Sequence, residues 1–91
     1  MTGYFQEKAR AEQAWFRVLH LFRSLMTQGL IGAEMESLIA HDIASLDSVL
    51  WDASEYECYR ELESAETAYF AANCIADDLE MLMHEILQEA A

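Results

Sequence analysis

The sequence predicts an all-α fold, and three observations carry that expectation. The chain contains no proline, and two of its three glycines, Gly29 and Gly32, stand together in QGLIGAE. Long stretches on both sides are therefore free of helix breakers. Apolar residues recur every three or four positions, whereas strand-like alternation and Asn-Gly or proline turns are missing. A single small three-helix bundle with a long C-terminal amphipathic helix follows, and 91 residues suffice for one domain, 1–91.

The first helix is expected over residues 4–27. At 100° per residue, Arg10, Gln13, Arg17, His20, Ser24 and Thr27 form one polar stripe. Trp15, Phe16, Val18, Leu19, Leu21, Phe22, Leu25 and Met26 cover roughly 220° of the remainder, about twice what a helix packed on one side requires. This helix has two faces to hide. The glycine pair then allows one helix to stop on a left-handed glycine and the next to start.

The second helix is expected over residues 33–50. Met35, Leu38, Ile39, Ile43, Leu46, Val49 and Leu50 form its stripe, and Trp51 should cap the end of the core. Asp42 falls inside the stripe; it either sits solvated at the rim or pairs with Arg17 or Arg23 of the first helix.

The third helix is expected to open at Ser54 through a capping box with Glu57 and to run to about residue 88. Cys58, Leu62, Ala65, Tyr69, Ala72, Ala76, Leu79, Met83 and Ile86 keep steps of four and three, the pattern of a long seam. Such a helix would be about 52 Å long against about 36 Å for the first, so one end should project, bend or be covered by a second chain. A break near Glu63 and Ser64 is the competing reading; the unchanged phase of the seam favours continuity.

Hydrophobic residues make up 54% of the chain, more than so small a body hides easily, which points to self-association or a partner. The net charge of −12 is uneven. Residues 1–28 hold four bases and two acids (+2), and residues 29–91 hold Arg60 against fifteen acids (−14). That field argues against direct nucleic-acid binding and against anionic membranes. The first apolar run, from Ala14, is interrupted by Arg17, His20 and Arg23, so a signal peptide is not expected. Cys58 and Cys74, about 24 Å apart on one helix, cannot form a disulfide, which favours a reduced, cytoplasmic setting.

The stretch AYFAANCIADDLEMLMHEI, residues 68–86, carries the candidate sites. Asn73, Asp77, Glu80 and His84 share roughly a 60° arc, the spacing at which Asp77, Glu80 and His84 could stack as metal ligands. Di-iron bundles use Glu-x-x-His from several helices, and this flank lies beside the seam, so a solvated acidic face is expected and no cofactor is assigned. His41, in LIAHDIASLD, lacks the basic surroundings of a phosphotransfer histidine. Neither cysteine has a histidine at a neighbouring helical position, so nucleophilic catalysis lacks its parts and an enzyme is not expected.

Tyr59, Phe70, Cys74 and Met81 lie off the seam and, with Trp15 and Phe16, form the expected partner-binding surface. Leu62, Tyr69, Ala72, Ala76, Leu79 and Met83 form the expected core or dimer seam. In type the chain is similar to secretion chaperones, anti-activators and phage-encoded inhibitors. That similarity is one of composition and rests on no motif, so no residue role carries over. The expectation is a homodimeric, non-enzymatic regulator that binds a basic or apolar groove of another protein and inhibits or escorts it. The alternative is an acidic DNA mimic, whose carboxylates themselves would occupy a nucleic-acid-binding protein.

Overall fold

A computed structural model describes residues 2–90 as three helices: α1 (Thr2–Thr27), α2 (Ala33–Cys58) and α3 (Leu62–Ala90). They run up, down and up in a bundle 44 Å long, close to the length expected for the 29 residues of α3. α3 packs along both other helices, whereas α1 and α2 meet each other far less. The core consequently follows α3. Ala65, Tyr69, Ala72, Ala76, Leu79 and Met83 are buried on it, facing Ala11, Ala14, Val18 and Leu25 of α1 and Ile39, Ile43, Leu46 and Ala53 of α2. The three alanines of the seam let the flanking backbones approach closely.

The first interhelical turn forms as its glycines suggest. Gly29 adopts φ +68°. Its amide donates to the Met26 carbonyl at 3.1 Å, and the Leu30 amide donates to the Leu25 carbonyl at 3.0 Å. This is a Schellman closure with an apolar Leu30–Leu25 pair at the expected positions.

The second turn overturns the expected division of the chain. Residues 54–88 are not one helix: α2 continues eight residues past Leu50, and the break falls at Tyr59, Arg60 and Glu61. Here too the closure is of Schellman type. Arg60 donates to the Glu57 carbonyl at 3.1 Å and Glu61 to the Tyr56 carbonyl at 2.8 Å. Arg60 takes the left-handed conformation, φ +62°, in glycine's place, a strain of about 1 kcal/mol.

Ser54 is therefore an exposed residue within α2, not a cap, and Trp51 is an exposed mid-helix side chain, not the end of the core. Cys58 and Leu62 flank the turn and are exposed, so they leave the seam assigned to them. The reason is length. Helices of 26, 26 and 29 residues cover one another, whereas a 35-residue third helix would leave two turns unpacked. The α2 stripe in fact continues in phase through Ala53, which is fully buried.

Candidate functional site

The quoted polar strip of α3 is the first place where structure reassigns chemistry. Asn73 is buried, and its amide nitrogen donates to the Glu7 carboxylate at 2.7 Å and to the Glu7 carbonyl at 3.1 Å. Asp77 takes Arg10 at 2.8 Å and Glu80 takes Arg17 at 2.6 Å. Asn73, Asp77 and Glu80 thus form a ladder that zips α3 to α1, not a free acidic flank. His84 is exposed, and among the described residues no group of three or more His, Cys, Asp or Glu side chains could hold a metal ion. The two guanidinium pairs are half exposed on the arginine side, so each contributes little stability and chiefly sets the register of the two helices.

A second polar cluster sits where the α1 start, the α2 end and α3 converge. Tyr69 donates its hydroxyl to Glu57 at 2.9 Å, and the other carboxylate oxygen of Glu57 faces the Lys8 ammonium at 2.9 Å. Burial, reinforced by the Glu57 hydrogen bond and charge, pushes the Tyr69 phenol up to about 12. The rings of Tyr4 and Tyr69 meet edge-on at 6.2 Å, and Lys8 lies over the Tyr4 ring. Every chemically interesting group here is occupied by a neighbour in the same chain, which marks the cluster as a structural clasp. The α2 macrodipole disfavours an acid this close to its C-terminus, and Lys8 offsets that penalty.

Because α1 and α2 diverge over α3, a cleft of about 370 Å³ opens between them, lined by Glu12, Trp15, Phe16, Leu50, Ser54 and Tyr69. Trp15 is half-buried, whereas Phe16 is 70% exposed. Trp51, next to Leu50, is 69% exposed and Phe5 68% exposed. By helical angle Phe5 and Phe16 share one line of α1. The two-faced character expected of α1 is thus real: one face meets α3, and the other is left to solvent. Periodicity gives Phe5 no role and places Trp51 at the end of the core, because a lone apolar residue off a stripe carries no signal of a binding surface.

The remaining expected partner residues lie elsewhere. Phe70, Cys74 and Met81 are exposed along the outer strip of α3, with Phe70 edging a depression among Glu7, Glu63 and Glu66. Tyr59, 78% exposed, belongs to the α2–α3 turn. Lys8 and Trp15 turn toward α2 while Arg10 and Arg17 turn toward α3, so the ion-pair ladder stands between the cleft and the Phe70–Met81 strip. The structure does not bring these residues into one surface.

Asp42 also moves. It lies exposed in a groove between α2 and α3, with Asp78 among its neighbours. Pairing with Arg17 is excluded, since that guanidinium engages Glu80 on the opposite side of α3. Among the described residues no helix is long and apolar enough to cross a membrane. Comparisons with protein-family models, with curated proteins and with solved structures find no match for this chain.

Proposed function

We propose that this chain is a non-enzymatic regulatory protein that acts by binding other proteins and that pairs with a second copy of itself through the α1–α2 face. The carrying observation is that Phe5, Phe16 and Trp51 are each more than two-thirds exposed, with Phe16 lining the cleft beside Trp15 and Leu50, Trp51 following Leu50 in α2, and Phe5 on the same line of α1 as Phe16. Large aromatics around a depression are what a specific interface uses as anchors. Self-association of a body with charge −12 must also bring together its least acidic surface, and α1 holds four of the five bases. The inhibitor, anti-activator or escort role follows from this binding capacity and from the acidic remainder of the surface, which steers toward basic partners.

Light scattering at micromolar concentration tests the pairing. The native chain is expected at twice its monomer mass, and the double variant Phe16→Asp, Trp51→Asp at monomer mass with unchanged helicity by circular dichroism. A monomeric native chain removes the self-association.

The second reading, an acidic nucleic-acid mimic, draws on a separate observation. Lys8, Arg10 and Arg17 are consumed by Glu57, Asp77 and Glu80, which leaves the other acids of α2 and α3 opposed by Arg60 alone on that half of the chain. Mimicry requires a partner affinity that collapses between low and moderate salt, whereas apolar docking weakens only modestly.

A further inference from the structure

We propose that the groove between α2 and α3 is a docking site for a cationic amphipathic helix of another protein, an inference that rests on the protein-binding reading above. Two hollows lie along this seam. One, of about 290 Å³, lies among Asp42, Asp78, Ile75 and Leu82. The other, of about 490 Å³, lies among Asp52, Tyr56, Glu63, Ala68 and Ala71.

Helical spacing joins the hollows into one track. On α3, Ser64, Ala68, Ala71, Ile75, Asp78 and Leu82 follow steps of four and three; on α2, Leu38, Asp42, Ser45, Val49, Asp52 and Tyr56 do the same. The two rows run antiparallel, pairing the Tyr56 end with Ser64 and the Asp42 region with Asp78. Each row is a second seam, parallel to the one that forms the core, and it lacks a covering helix.

The floor and banks of this track identify the occupant. Leu38 is 62% exposed, and Val49, Ile75 and Leu82 are only half-buried, so apolar surface is available along its length. The serines and alanines between them let a helical backbone come close. Asp42, Asp52, Glu63 and Asp78 edge the track, and among the described residues no lysine or arginine lines either hollow. A second copy would bring like charge against like charge; a helix with basic flanks neutralises these carboxylates as it covers the floor. From Leu38 to Tyr56 the track extends about 27 Å, enough for roughly 18 residues of helix.

Three fluorescent 18-residue synthetic peptides test the site by anisotropy on the native chain. One has leucines at three-four spacing with Lys and Arg flanks, one replaces those bases with Glu, and one scrambles the cationic composition. The cationic amphipathic peptide is expected to bind at least about tenfold more tightly than either control. Ala71→Trp, which fills the groove from an exposed position, should weaken it more than about tenfold, and Asp42→Lys with Asp78→Lys should weaken it comparably. Circular dichroism verifies the fold of both variants, and amide shifts in the native chain should concentrate at Ala68, Ala71, Ile75 and Leu82. Absence of binding, equal binding of the three peptides, or full affinity in both variants overturns the site. Shifts centred on Trp15 and Phe16 also overturn it while leaving the protein-binding reading standing, and the mass measurement on the α1–α2 face is independent of every arm.

Discussion

Asn73, Asp77 and Glu80 reach across one side of α3 to Glu7, Arg10 and Arg17 of α1, whereas Asp42, Asp52, Glu63 and Asp78 along its other side meet no cation among the described residues. Both seams are built on the same helix around the same core. Their difference originates in the flanking helices: α1 supplies four bases, and α2 contains no lysine or arginine at all. One seam is closed by polar contacts of defined register. The other is held by apolar burial with the Tyr69–Glu57 hydrogen bond at one end, and keeps its edges open. A bundle can thus use one side of a central helix for its own architecture and leave the opposite side, equally periodic, to a partner.

The strongest way to break this contrast is to place one carboxylate on each seam. Asn73→Asp removes the amide donor to Glu7 and puts a second acid against it at a position only 1% exposed, and should cost about 3–5 kcal/mol at neutral pH. Ala71→Asp on the open side should change stability by no more than about 0.5 kcal/mol. Urea denaturation of both variants measures the difference; equal losses would mean that the seams are not distinct.

Tyr69→Phe probes the clasp that ties α2 to both seams and should cost about 1–2 kcal/mol by leaving Glu57 without its hydrogen-bond donor. It also changes the pH dependence. The folded phenol titrates near 12 against 10.0 for the ordinary group, so above pH 10 the unfolded chain releases this proton before the folded one does. The stability contributed by the neutral phenol is complete below pH 10 and is lost as pH rises through 12. Chemical denaturation across that window should show this decline in the native chain, and Tyr69→Phe should lack this component of it.

The turns give the smallest and sharpest test. Gly29 and Arg60 occupy equivalent left-handed positions, but only the first has a residue suited to it and an apolar closing pair. Gly29→Ala should lower stability by about 1 kcal/mol, and Arg60→Gly should raise it by up to about 1 kcal/mol, read as opposite shifts in melting temperature. Removing Arg60 also takes away the lone base beyond Gly29, so the gain should be read at high salt, where that charge is screened.

Much of this organisation is legible in the residues. The helical class, the span of α1 and the left-handed Gly29 follow from breaker placement, and the buried set from Ala65 to Met83 follows from three-four spacing. The misplaced third helix has an instructive cause. The heptad series runs through Cys58 and Leu62 in constant phase, and a periodicity measured along the chain does not register a hairpin whose two arms happen to share that phase. Left-handed Arg60 gives no local warning, since arginine is an ordinary helix former. Ala53 offered a usable signal, because it extends the α2 stripe beyond Leu50.

The sequence alone determined which surfaces are apolar, that positive charge is concentrated toward one end of the chain, and that the segments are helical, because these depend on side-chain chemistry and local period. Tertiary structure decided which carboxylates are neutralised, where the chain reverses, and which apolar residues remain uncovered. Those outcomes depend on how α1 and α2 are rotated about α3, and rotation is settled by packing all three helices at once. Asn73 shows the consequence: its position on a polar arc was evident from spacing, but only the approach of Glu7 converts that arc into a buried contact.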